Sequence, residues 1–229
     1  MTYYPNEGVE TKLRQAARAL ACAGLVHAFG HCSVRLDTTS FLVCAAMPMG
    51  LISTQPGTCV SLDGPLPEGV LGEVRIHQAI YRCRGDVGAV CRIMPPALMA
   101  LSSQGVTPGA RHGIGAYFAP SPPLWDDPAL LRNDESATAL AQSLGDAPAI
   151  VMRGNGAVVV ADGIEKAVAL SWFLEDAARV ERDVRAMGFL DGGLDGGKCL
   201  TDAEAARRQI FSGGVVERMW QYLTAEPAR

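Results

Sequence analysis

The chain has 229 residues, 48% of them hydrophobic and 19% charged, enough apolar content to build a full core in one large domain or two small ones. A formal net charge of −4, with no basic cluster to reverse it, argues against a nucleic-acid partner. No apolar run approaches the roughly 18 residues of a membrane span, and the N-terminus lacks a charged-then-apolar signal pattern, so the expectation is a soluble, cytoplasmic protein.

In chain order, 7–24 reads as a helix with Leu13, Ala16, Ala17, Leu20 and Ala21 on one face and Gly24 as its stop. A turn at Gly30 enters a strand at 30–36, a polar link follows at 37–40, and 41–44 returns as a second strand. Residues 58–62 form a third strand, closed by Asp63-Gly64. The stretch 73–96 is the organising one. Val74, His77 and Tyr81 recur at helical spacing after Glu73. Arg84-Gly85-Asp86 ends that helix. Residues 87–91 then read as a buried strand, and Pro95-Pro96 ends it. Alternation puts Arg92 and Met94 on one face.

Residues 96–105 read as a short helix. The segment 107–128 is irregular and rich in Pro and Gly; it carries His112, Tyr117, Trp125, Asp126 and Asp127, and such long irregular segments are often functional. A helix capped by Asn133 or Asp134 spans 133–144. Strands at 149–152 and 157–160 flank the tight turn Gly154-Asn155-Gly156. The longest helix covers 163–187. Residues 189–197 are Gly-rich and expected to be mobile, and Thr201 with Glu204 forms a capping box for a last helical region. Seven cysteines without a CxxC pair argue against a zinc knuckle or disulfide framework and for buried free thiols; Cys32, beside His31, is the one to test as a nucleophile. With no internal repeat and no linker, the expectation is one α/β domain over 1–229, with 189–229 a C-terminal helical extension.

The order of these motifs resembles the class II aldolase and adducin family over roughly residues 10–188. The resemblance is carried by Gly30-His31-Cys32-Ser33-Val34-Arg35, by Glu73 with His77 and Ile80-Tyr81-Arg82, by the run from Asp86-Val87 to Pro95, by Arg153-Gly154-Asn155-Gly156-Ala157, and by the helix with Glu165, Ala167, Leu174-Glu175 and Ala177-Ala178. The Gly-His-x-Ser-x-Arg form and the terminal Arg218-x-Trp220-x-Tyr222 look most like the branch of aromatic-acid decarboxylases and related lyases. The resemblance implies an α/β/α sandwich around a largely antiparallel central sheet, and a homotetramer with active sites between subunits. It also implies zinc or another divalent metal held by three histidines, beside a glutamate that serves as acid/base or ligand.

The chain departs from that pattern at the metal. Arg92 and Met94 stand where a His-x-His pair is expected, and Asn155 where the third histidine is expected; Glu73 is kept. A guanidinium stays protonated and offers no lone pair, so the metal site is expected to be lost, zinc or manganese being the fallback. The resulting expectation is a metal-independent lyase acting on a small carboxylated or carbonyl-containing, possibly aromatic, substrate. Glu73 would serve as acid/base, Arg92 as anion clamp and Asn155 as hydrogen-bonding partner. His31, Ser33, Arg35, Met94, His112, Tyr117, Trp220 and Tyr222 are the candidate substrate contacts. Two alternatives stand beside this one. The chain is a non-catalytic relative used for binding or assembly, with Glu73 and Arg92 locked in a structural ion pair, or the metal is kept by Glu73, His31 and Cys91 or Cys32.

Overall fold

A computed structural model describes residues 7–188 and 198–225. Its elements are α1 (Glu7–Cys22), β1 (His31–Arg35), β2 (Ser40–Val43), β3 (Thr58–Ser61), α2 (Arg75–Cys83), β4 (Ala89–Ile93), α3 (Pro96–Ser102), β5 (Leu124–Trp125), α4 (Asp134–Leu144), β6 (Ala149–Met152), β7 (Ala157–Ala161), α5 (Ile164–Ala186), α6 (Asp202–Arg208) and α7 (Val215–Thr224). The strands form one sheet in the order β3-β2-β1-β4-β7-β6-β5. Every neighbouring pair is antiparallel except β5–β6. The expected α/β/α sandwich is the architecture found.

The sheet is covered on both faces, which explains why its central strands read as continuous apolar runs rather than alternating ones. Period-two alternation sorts the side chains. Cys32, Val34, Cys91, Ile93 and Val159 face the layer of α1, α3 and α5. Val90, Ile150, Met152, Val158 and Val160 face α2 and α4. α7 packs on α1 and α5. No helix among the described residues is long and apolar enough to cross a membrane.

Two local devices fix the strand ends near which the cleft opens. α3 begins straight after Pro95, and its first amides have no helical partner. The buried carboxylate of Glu175 on α5 accepts from Ala97 N and Leu98 N, each at 3.0 Å. The turn between β6 and β7 needs glycine at 156: φ is 76°, and a Cβ there would lie 2.0 Å from the Ile93 carbonyl oxygen. The end of β7 is thus pressed against the end of β4.

Several expectations need correction. Glu73 lies in a single 3-10 turn, Gly72–Val74, and α2 begins after it. The irregular segment 107–128 contains a 3-10 turn, Gly115–Phe118, and the short parallel edge strand β5. Only Cys32, Cys44 and Cys91 are buried; Cys22, Cys59, Cys83 and Cys199 are exposed. Cys32 is fully buried on the α1 face of β1, away from His31, and its contact with the Cys44 thiol, together with burial, holds its own thiol well above the ordinary range. That is the opposite of an activated nucleophile. The glycine-rich stretch 189–197 lies outside the described residues.

Candidate active site

A cleft of about 500 Å³ opens where several pieces of chain meet, four of which carry residues expected from the sequence. The start of β1 supplies His31, the end of β4 supplies Arg92 and Met94, and the β6–β7 turn supplies Asn155. Sheet register brings these together, because His31 pairs with Arg92 and Ile93 pairs with Ala157. The fourth piece is the 3-10 turn before α2, which supplies Glu73. Leu71, Leu130 and Arg132 complete that outer wall, with the aliphatic stem of Arg132 lying over Gly72. An ion pair between Arg75 and Asp134, at 2.9 Å, ties the starts of α2 and α4 beside it.

Arg92 is the largest fully buried side chain of the described residues. Its Nη1 donates to the Ile93 carbonyl at 2.8 Å. Its Nε stands 3.6 Å from Glu73 Oε2, within ion-pair range and beyond a hydrogen bond. Burial pulls the guanidinium below its usual value, and the charge of Glu73 opposes that shift. His31 Nε2, Glu73 Oε1, Arg92 Nε and Asn155 Nδ2 are all buried without a hydrogen-bond partner. Buried polar atoms are normally paired. Four orphans on four residues of one cleft mark a place built to receive something polar.

Behind His31 runs a buried chain of hydrogen bonds. His31 Nδ1 is 2.8 Å from His77 Nε2, His77 Nδ1 is 2.6 Å from Ser33 Oγ, and Ser33 Oγ is 2.9 Å from Tyr81 Oη. Two periodicities mesh to make it. His31, Ser33 and Arg35 alternate along one face of β1, while His77 and Tyr81 sit one turn apart on α2. Burial first, then His77 and Arg92, lowers the His31 pKa well below its ordinary value. Burial and Arg92 bring His77 down to about 3.

Of the sequence-derived contacts, His31, Glu73, Arg92, Met94 and Asn155 line the cleft and the others do not. Ser33 is fully buried inside the chain just described. Arg35 donates to the carbonyls of Val87, Tyr81 and Arg84 and lies over the Tyr81 ring. His112 stands 3.8 Å from Asp176 on α5. Tyr117 stacks on Phe173 and donates to the Ile210 carbonyl. Trp220 packs against the α1–α5 core, and Tyr222 is exposed. Sequence reasoning missed Arg132 and the exposed apolar rim of Phe29, Leu71 and Leu130. These sit on non-periodic segments, and the only signal near Arg132 was the helix cap at Asn133 that follows it.

The three-imidazole metal site that the resemblance implies does not fit these residues. Among the described residues no group of three His, Cys, Asp or Glu side chains is placed to hold a metal ion. Of the cleft-lining side chains, Glu73 and His31 alone are ordinary metal donors, and the Arg92 cation already stands beside the first.

Comparison with known proteins agrees with this architecture. The model of the class II aldolase and adducin N-terminal domain matches residues 11–181. A 3,4-dihydroxyphthalate decarboxylase from Arthrobacter keyseri is 30% identical over 238 residues, covering 95% of this chain and 93% of that protein. One from Rhodococcus jostii is 27% identical over 202 residues, covering 80% and 82%. Among solved structures, an L-fuculose 1-phosphate aldolase from Glaciozyma antarctica superposes with a TM-score of 0.78 at 22% identity, over 97% of this chain and 92% of that one, a likeness of fold alone.

Proposed function

The chain belongs to the class II aldolase and adducin family, and on that premise we propose that it is a carbon–carbon lyase that decarboxylates a small hydroxylated aromatic acid of the 3,4-dihydroxyphthalate kind, without a divalent metal. The names of its relatives support the reaction class. The observation that carries the reading is the set of four buried polar atoms without a hydrogen-bond partner around one cleft, three of them nitrogens and one a carboxylate oxygen. Such a set suits an anionic, oxygen-rich guest. The exposed Phe29, Leu71 and Leu130 at the rim suit an aromatic ring.

In this reading Arg92 binds a carboxylate or phenolate oxygen at the base of the cleft. Arg132, exposed at the mouth, meets a second carboxylate. Asn155 donates to a ring oxygen. Glu73, protonated in the substrate complex where the substrate anion replaces it as the partner of Arg92, delivers that proton to the ring carbon that carries the departing carboxylate. The bond to that carboxylate then breaks, its electron pair returns to the ring, and carbon dioxide leaves. Glu73 recovers its proton from water. The fixed cation supplies the charge stabilisation that relatives are expected to draw from a metal, and in a water-poor site that stabilisation is strong. The enzyme is proposed to work as a homo-oligomer, with a neighbouring subunit closing over the apolar rim.

The test is carbon dioxide release from 3,4-dihydroxyphthalate, followed with and without a chelator. Turnover should survive chelation in the wild type and fall by at least about a hundredfold in Glu73→Gln and Arg92→Ala. No turnover on a panel of hydroxylated aromatic acids, or activity lost to chelator and restored by zinc or manganese, would overturn the proposal.

A further inference from the structure

We propose that His77, Ser33 and Tyr81 are positioning residues that hold His31 in its Nε2-protonated tautomer, so that it meets the substrate as a hydrogen-bond donor. The substrate part of this inference rests on the decarboxylase reading; the tautomer does not.

The number of hydrogens along the chain decides the tautomer. Among the described residues Tyr81 Oη has one hydrogen-bond partner, Ser33 Oγ, and the ring is fully buried. If Tyr81 donates to Ser33, then Ser33 donates to His77 Nδ1, His77 Nε2 donates to His31 Nδ1, and the His31 proton stands on Nε2. Each hydrogen inside the chain then finds an acceptor, and the last one is left for the cleft. Run the other way, His31 Nδ1 donates to His77 Nε2, and His77 Nδ1 donates to Ser33. Either Ser33 then donates to Tyr81, stranding the tyrosine hydrogen, or Tyr81 donates to Ser33, stranding the serine hydrogen. Both alternatives leave a buried hydroxyl donor without an acceptor, which native proteins avoid. The tautomer of a histidine is set by the bond its other nitrogen makes, and here that bond is fixed three residues deep.

The same count limits what His31 does. Among the described residues no donor stands behind Tyr81 to refill the chain, so a proton given up at His31 Nε2 would end in a buried tyrosinate. Burial raises the Tyr81 pKa well above its ordinary value and so opposes that state. His31 therefore holds its proton and hydrogen-bonds a substrate oxygen, beside Arg92 and Asn155. The proton that reaches carbon must come from elsewhere, and Glu73 is the remaining acid among the described residues that line the cleft.

Long-range proton–nitrogen correlation on ligand-free protein with 15N-labelled histidine reads the tautomer directly. His31 should appear as an uncharged ring with its proton mainly on Nε2, an Nε2-to-Nδ1 ratio well above one, because the cleft that Nε2 faces has room for an accepting water and the interior around Tyr81 does not. Tyr81→Phe should keep that ratio, because Ser33 can still donate only to His77. Ser33→Ala should bring it close to even, and Ser33→Thr should restore it. A wild-type His31 protonated on Nδ1 or on both nitrogens overturns the inference, as does a Ser33→Ala ratio equal to wild type. If Ser33→Ala does not fold, the wild-type spectrum decides alone. Because the measurement needs no substrate, its failure is separate from a failure to find decarboxylation.

Discussion

Acidification should destabilise this protein through His77 by an amount that its burial sets. The ring is fully buried, and burial, reinforced by Arg92, lowers its pKa to about 3 in the folded state. In the unfolded chain a histidine titrates near 6.5. Between these values the unfolded state binds a proton at this site and the folded state does not. Stability therefore rises with pH, and the contribution is lost as pH falls below about 6.5 and on toward about 3. At pH 5, about 1.5 units below the unfolded value, the loss from this one ring is about 2 kcal/mol. His31 is lowered as well and acts in the same direction. Urea unfolding at pH 7 and pH 5 measures the effect. Wild type should lose about 2 kcal/mol more over that interval than His77→Gln, whose amide carries no titration. Proton NMR of the folded protein gives the independent check, since His77 ring signals should not move between pH 8 and pH 5. Parallel losses in the two proteins, or a folded-state titration of His77 near 6.5, would refute the reasoning.

Two further predictions concern the cleft. Arg132→Ala should raise KM for an aromatic dicarboxylate by about two- to fivefold, the range of one exposed ion pair, and should leave KM for the matching monocarboxylate unchanged; steady-state kinetics on the two substrates compares them. Gly156→Ala places a Cβ against the Ile93 carbonyl oxygen at a positive φ, so denaturant unfolding should show a loss of about 2 kcal/mol or more, with turnover falling because Asn155 is displaced.

Much of the sheet and its site could be read from residue patterns, and the failures share a cause. The α2–β4 unit was legible because helical spacing stops at Gly85 and a short apolar run follows, and the departures at Arg92, Met94 and Asn155 all line the cleft. Ser33 and Arg35, which follow His31 in the Gly-His-x-Ser-x-Arg form, were expected to be substrate contacts with it, and strand alternation does put all three on one face. What the sequence does not display is that α2 lies over that face from Ser33 onward, so that only the first residue of β1 emerges into the cleft. His112 and Tyr117 were drawn in by a segment whose irregularity looked functional; His112 meets α5, and Tyr117 meets α5 and the chain after α6. Arg132 had no period to betray it. Pattern reading finds the face a residue occupies, and it does not find what covers that face.

The cleft has two walls of different construction. His31, Arg92, Met94 and Asn155 stand on strand ends locked by register and by the contact of Gly156 with Ile93. Leu71, Glu73, Leu130 and Arg132 stand on connections outside the sheet. Lengthening or recomposing those connections would retune which guest is admitted while leaving the donor-lined wall untouched. The exception is Glu73, which any such remodelling would carry along. Divergence toward new substrates should therefore be freest around Leu130 and Arg132 and most constrained next to the carboxylate.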